Sequence, residues 1–134
     1  MKLNYDCVRN LLLALEEDIL YTDTENGCAT ESVRLNKLAQ NSNLQEYKIE
    51  EIVYTSEKLE EAGFIECDIA DACGGIIDIV YYSVTFCGHQ YLDTIRSQPI
   101  WDGVKSTIKT KGLSFSFDII KTVTPHVLNS LLSK

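Results

Sequence analysis

Val8, Leu11, Leu12, Leu15 and Ile19 recur at offsets of three and four along NYDCVRNLLLALEEDIL, which places them on one face of a helix. Arg9, Asn10, Glu16 and Glu17 occupy the other face, and Asn4 or Asp6 is positioned to accept the free amide protons of the first turn. YTDTENG (21–27) follows neither the helical nor the strand period and ends in Asn-Gly, so it reads as a loop. Val33 and Leu35 alternate as in a short strand. Leu35, Leu38 and Ala39 then predict about two helical turns, stopped by the polar run 41–43. A longer helix is expected from about Gln45 to Ala62. It would bury Ile49, Ile52, Val53, Leu59 and Ala62 and expose Lys48, Glu51, Tyr54, Thr55, Lys58 and Glu61. Gly63 suits the left-handed residue that ends it.

Beyond Gly63 the period changes to two. Phe64–Ala70 alternates, and Ile76–Phe86 is rich in Ile, Val, Tyr and Phe, so both read as strands. DACGG between them supplies Gly74 and Gly75 for a turn of positive φ, with Asp68, Asp71 and Asp78 near the tip. Thr85 can cap a helix over Phe86–Arg96 that turns Tyr91, Leu92 and Ile95 inward. Gln98-Pro99 starts another, since proline suits the first helical turn. Ile100, Trp101, Val104 and Ile108 share one side of it, and Gly112 ends it. A last helix opens at Ser114 or Ser116 and runs to about Leu132, with a kink expected at Pro125.

That order is the order of a winged helix followed by further helices. A two-stranded hairpin is not stable alone and must bury one face on the helices. The expected fold class is α+β: a winged helix-turn-helix core with a two-stranded wing hairpin and a C-terminal extension of about three helices. Residues 1–97 would form the winged-helix domain including the post-wing helix, and 98–134 a helical extension packed on it as a single structural unit. The length of 134 residues and the apolar content of 45% fit one domain with a real core.

Charge changes the picture of what such a fold would bind. The formal net charge is −8. Residues 46–97 hold 3 basic and 11 acidic groups, whereas 98–134 hold 5 and 2. A field of this sign repels phosphate at long range. LLLAL (11–15) is too short for a signal-peptide core or a membrane span, so a soluble protein of the bacterial cytosol is expected, without membrane contact. Cys7, Cys28, Cys67, Cys73 and Cys87 contain no C-x-x-C pair, which argues against a zinc site and fits free thiols in a reducing compartment.

Two stretches carry a resemblance. LEEAGFI (59–65) is similar to the junction between the main helix and the wing of winged-helix proteins, and TFCGHQYL (85–92) is similar to the Thr-x-x-Gly-x-x-x-Leu pattern that follows the wing. Gly63 would turn the helix, and Gly88 would let another backbone approach. Together with MKLNYDCVRNLLLALEE and SVTFCGHQYLDTIRSQPIWDGVK, these stretches resemble an uncharacterised family of small winged-helix proteins encoded by phages and prophages. Gly88, His89, Tyr91, Leu92, Ile95, Arg96 and Trp101 match its most recognisable stretch. Cys87 departs from it, and Gly103 is unexpected within a helix. The resemblance implies fold and genetic context. It carries no activity and no functional residues.

Catalytic constellations are not visible. Glu16, Glu17 and Asp18 are consecutive and fan around a helix, unlike paired catalytic carboxylates. His89 and Cys87 stand at i and i+2, which do not face each other on a helix. His126 reads as a surface residue, and Trp101 at helical spacing with Val104 and Ile108 reads as core. Gly74-Gly75 lacks the Lys and Thr of a phosphate loop. A non-enzymatic binding protein without cofactor or metal is therefore expected. DNA binding would insert the 45–62 helix into the major groove, but that face offers Lys48 and Lys58 against Glu46, Glu50, Glu51, Glu57 and Glu61. Charge favours a protein partner, met through Glu50, Glu51, Tyr54, Thr55, Lys58 and Glu61 and through the wing tip at Asp71, Gly74 and Gly75. An exposed patch at Ile100/Trp101/Val104 or at Leu128/Leu131/Leu132 would offer a homodimer seam.

Overall fold

A computed structural model describes residues 1–133, which divide into a compact unit over Met1–Gln90 and a second from Tyr91 onward. The fold is α+β, with six helices and two small antiparallel sheets among the described residues.

In the first unit, α1 (Tyr5–Asp18) is capped by the Asn4 side chain, which accepts the amides of Asp6 at 2.9 Å and Cys7 at 3.3 Å. Its apolar face buries Cys7, Val8, Leu11, Leu12 and Leu15 as the period predicts. The stretch expected to be a loop is instead a hairpin of β1 (Leu20–Thr24) and β2 (Gly27–Glu31). All ten residues of these strands are exposed. With neither face buried, nothing selects an alternating pattern, so the strand signal was absent from the sequence.

A short β3 (Val33–Arg34) leads into α2 (Leu35–Leu38), one helical turn where two were expected, and a 3-10 turn at Ser42–Leu44. The main helix α3 is Ile49–Glu61, starting four residues later than expected. Lys48 is extended there, and Gln45 instead donates its side-chain amide to the carbonyls of Gln40 and Asn41. The buried face of α3 is Ile52, Thr55, Ser56 and Leu59, whereas Ile49 and Ala62, expected inside, are exposed. Two hydroxyls are thus inside. Thr55 donates to the Cys7 sulfur at 3.4 Å, and Ser56 donates to the Ile52 carbonyl at 2.7 Å. Because the single Ser56 proton is used there, Tyr81 is the donor in its 2.6 Å bond to Ser56. Every buried hydroxyl on this face has a partner, which removes the penalty that polarity alone would predict.

The second sheet has the order β3-β5-β4, with β4 at Ile65–Ala72 and β5 at Gly75–Val84. Ile65, Ile79 and Tyr81 turn into the core. The register shifts between Glu66 and Cys67 and again between Ala70 and Asp71, leaving Tyr82 and Ile77 as the extra residues of β5. These are two of the exposed large side chains of the unit, because an extra residue breaks the in-out alternation of its strand. The turn is made by Cys73 and Gly74, at φ 53° and 81°. Gly75, expected in the turn, is a strand residue paired with Ala72. Asp78 is opposite Ala70, away from the tip, and is ion-paired with Arg34.

Gly63 (φ 76°) ends α3 as expected, and the two glycine motifs meet. Thr85 donates its amide to the Phe64 carbonyl (2.9 Å) and its hydroxyl to the Gly63 carbonyl, while that hydroxyl accepts the Gly88 amide at 3.1 Å. Thr85 is therefore the cap of α4 (Phe86–Ile95) and also the clasp that holds α4 to the α3–β4 junction.

In the second unit, α5 (Gln98–Thr110) carries Pro99 in its first turn, and α6 (Phe117–Leu132) is capped by Ser116, whose hydroxyl accepts the Ile119 amide. Trp101, Val104 and Ile108 of α5 are buried, as are Ile120, Val123 and Val127 of α6. Gly103 is explained here: a Cβ at that position would lie 2.6 Å from a Val127 methyl, so the glycine lets α5 and α6 approach. Pro125 lies inside α6 and has no amide to contribute to the helical hydrogen bonds. Burial of Trp101 and Val104 corrects the first of the two expected dimer seams, since neither side chain reaches the surface. Leu128, Leu131 and Leu132 are exposed.

Candidate interaction surfaces

The solvent face of α3 is acidic by construction. Its apolar and hydroxyl residues are drawn inward, so Glu50 and Glu61 are left exposed and Glu51, Tyr54, Glu57 and Lys58 half-exposed. Thr55 is 1% exposed and bonded to Cys7, so it leaves the expected partner surface. The sequence placed it outside because a hydroxyl is polar; the sulfur that satisfies it lies 48 residues away. Glu51 accepts the Asn4 side-chain amide at 3.3 Å, and so borders the start of α1.

The lysines that would offset these carboxylates do so unequally. Lys48 is exposed. Lys58 donates to both Glu61 oxygens, at 3.1 and 3.2 Å, and its ammonium lies 5.4 Å from the Tyr54 ring centroid. The hydrogen bond and charge of Glu61 raise the Lys58 pKa, which keeps the lysine charged but committed to an acidic neighbour. The β4–β5 hairpin adds Glu66, Asp68 and Asp71 on its exposed edge strand, and Tyr82 donates to Asp68 at 2.8 Å. At the tip, Asp71, Gly74 and Gly75 line an open hollow of about 570 Å³. All its lining residues, Asp71–Ile76, come from the one turn, so it lacks the opposing wall of a ligand cavity.

A second site was not anticipated. A cleft of about 430 Å³ opens where α1 ends, lined by Leu15, Glu16 and Ile19, by Tyr21 of β1, by Ser83 and Val84 of β5 and by His89. Its polar centre is a pair: the His89 Nδ1 lies 3.0 Å from a Glu16 oxygen. The clasp sets His89 in place, since its amide donates to the Thr85 carbonyl at 2.9 Å, one residue after Gly88. Glu16 and His89 are 73 residues apart, beyond the reach of any spacing rule.

With these surfaces in view, the relatives become informative. The model of a family described as Hypothetical protein (DUF2513) matches residues 2–114. The chain belongs to the DUF2513 family. A protein of Haemophilus influenzae, described as an uncharacterized protein, is 32% identical over 139 residues, which cover 99% of this chain and 100% of that one. No solved structure matches. The DUF2513 match spans α1 through α5 and so includes both acidic surfaces and the cleft.

Among the described residues, no three His, Cys, Asp or Glu side chains of this DUF2513 protein group closely enough to hold a metal ion, and no helix is long and apolar enough to cross a membrane. The five thiols differ in environment. Cys28, Cys73 and Cys87 are exposed, Cys67 is half-buried and Cys7 is buried. Burial raises Cys7 to about 11 and Cys67 to about 11, from an ordinary value of 9.0. A two-unit rise lowers the thiolate fraction near neutral pH roughly 100-fold. Limited alkylation with iodoacetamide at pH 8, followed by peptide mass mapping, is expected to modify Cys28, Cys73 and Cys87 first, Cys67 slowly, and Cys7 only in urea. Early labelling of Cys7 would show that α1 and α3 separate in the native protein.

Proposed function

We propose that this DUF2513 protein is a non-enzymatic winged-helix accessory protein of phage or prophage origin that binds a basic surface on a protein partner in the bacterial cytosol. The reading extends to modulation of a host system such as defence. Its winged-helix part is supported by the order of α1, β3, α2, α3, β4 and β5 and by the three-stranded arrangement of the sheet. In that comparison α3 is the helix that a DNA-binding relative would insert into the major groove.

The observation that carries the choice of target is the Lys58–Glu61 pair. A helix meant for phosphate would keep its cations available. Here one of the two lysines on the face is already engaged by a carboxylate, and Glu50, Glu51 and Glu57 surround what remains. Sequence-independent phosphate contacts supply much of the affinity for DNA, and this face has few to give. A partner rich in Arg or Lys meets the same face with complementary charge, which speeds encounter.

Capture from bacterial lysate, with and without nuclease, tests the reading together with Glu50→Lys and Glu61→Lys in one variant. Both residues are exposed, so the thermal midpoint is expected to hold. Exposed charge pairs are worth up to about 1 kcal/mol each. The double reversal should therefore weaken a retained protein partner roughly tenfold or more. A bound species that disappears with nuclease, or affinity unchanged by the reversals, would refute it.

A further inference from the structure

We propose that the outer edge of β4 takes up an extended segment of the partner protein as a further strand, one in which Lys or Arg alternates with apolar residues. The proposal rests on the reading of a basic protein target and supplies its mode of contact. β4 is the edge of its sheet, with β5 as its only strand neighbour. Among the described residues, no hydrogen bond outside the β4–β5 ladder uses a backbone group of Ile65–Ala72. An antiparallel ladder engages the backbone groups of alternate residues, so the others point outward as a row of donors and acceptors. An added strand satisfies such a row.

Edge strands are commonly blunted by lysine, by proline or by a bulge of their own. The strand IECDIADA contains neither residue, and both extra residues at the register shifts belong to β5, so β4 itself carries no insertion along its 8 residues. Its remaining guard is charge, and charge is selective. Glu66, Asp68 and Asp71 are exposed, and the strand holds no basic residue. Two-fold pairing with a second copy would line up carboxylates from both copies along one seam, and like charges across a seam oppose pairing. A strand carrying Lys or Arg meets them with opposite charge. The other side of β4 fixes the alternate positions. Ile65 is buried and Cys67 and Ile69 are half-buried, so apolar side chains of the incoming strand extend that side. The β1–β2 ribbon also has open edges, but its exposed residues leave no core face for a third strand to join.

The test titrates capped peptides into the full-length ¹⁵N-labelled protein. The probe alternates Lys with Val. One control alternates Lys with Pro, which keeps the charge but removes every second amide and cannot pair as a strand; the other alternates Glu with Val, which can pair but carries the wrong charge. The Lys-Val peptide is expected to shift the amide resonances of Glu66, Asp68 and Ala70 in a saturable manner and to slow hydrogen exchange within Ile65–Ala72. The Lys-Pro peptide should bind at least about tenfold more weakly, because proline has no amide to give the ladder. The Glu-Val peptide should be weaker by roughly the same factor, because like charges oppose the pairing. Glu66→Lys with Asp71→Lys, both at exposed positions, should lower the Lys-Val affinity roughly fivefold or more. Equal binding of the Lys-Pro peptide would reduce the contact to charge alone and overturn strand addition. Equal binding of the Glu-Val peptide, shifts confined to the β1–β2 ribbon, no shift at all, or a folded double variant that binds like the parent would overturn it too. If the double variant fails to fold, the three peptides on the parent protein decide. Shifts confined to Glu50 and Glu61 of α3 would overturn strand addition and leave the basic protein target standing. A nuclease-sensitive species in the lysate capture refutes that target, whatever the peptides show at β4.

Discussion

Gly88→Ala is expected to destabilise the first unit by about 2 kcal/mol or more, although alanine is the better helix former. The two effects oppose each other and can be compared. Replacing a helical glycine by alanine gains about 1 kcal/mol. Against this, a Cβ at position 88 would sit 2.2 Å from the Phe64 carbonyl oxygen and 2.9 Å from a Val84 methyl. Overpacking usually costs about 1–3 kcal/mol, and sometimes more where the obstacle cannot yield. The obstacle here is backbone. The Phe64 carbonyl accepts the Thr85 amide, and the Phe64 amide itself donates to the Leu59 carbonyl at 2.9 Å. Moving α4 outward would break the Thr85 clasp, so the clash outweighs the propensity gain. Gly103→Ala is the matched control. It has the same propensity gain, but its nearest neighbour is a Val127 methyl, with no backbone atom among the three nearest. A side chain yields more easily than a carbonyl, but valine is stiff at χ1 and its methyl would lie 2.6 Å away, so a net cost of roughly 0–2 kcal/mol, smaller than at Gly88, is expected there. Urea unfolding of both variants separates the cases, and equal midpoints would show that α4 does not depend on the close approach.

The same contact explains what could be read from the sequence. LEEAGFI and TFCGHQYL were legible because they are two sides of one junction, and the residues that make it possible are glycine and threonine at fixed places. Helix α1, the β4–β5 hairpin, the Thr85 cap and the inward set Tyr91, Leu92 and Ile95 were legible because each element buries one face, which imposes a period. What lacked a buried face lacked a signal. The β1–β2 hairpin is exposed throughout, and only its Asn-Gly turn was visible, as a loop. The expected faces of α3 failed at Thr55, and left out the buried Ser56, for a different reason. Their hydroxyls are satisfied by Cys7 and Ile52, and the first of these partners comes from a distant helix. At the tip of the β4–β5 hairpin, a non-glycine residue, Cys73, adopts positive φ, so the turn sits one residue earlier than the glycine pair implied. The acidic surface of α3 was legible from composition, but its Lys58–Glu61 pairing needed geometry. The cleft was illegible, because Tyr21 comes from the missed hairpin and Glu16 meets His89 only through the fold.

Trp101→Ala is expected to carry the largest stability loss in the chain, about 3–5 kcal/mol. The side chain is 1% exposed, among the largest fully buried, and packs edge-on against Phe115 with ring centroids 6.5 Å apart. Removing it leaves a void that α5 and α6 cannot close by moving together, because they already meet at Gly103 and Val127. The Lys105 ammonium, 5.7 Å from the indole centroid, loses its ring as well, which adds up to about 1 kcal/mol. Trp101→Phe restores much of the apolar volume and should recover more than half of the loss. If instead Trp101 belonged to a ligand surface, the alanine variant would keep its stability and lose binding. Thermal unfolding followed by far-UV circular dichroism distinguishes the two, with a midpoint lowered by roughly 10 °C expected for the core role. A midpoint within about 2 °C of the parent would remove Trp101 from the core of the second unit.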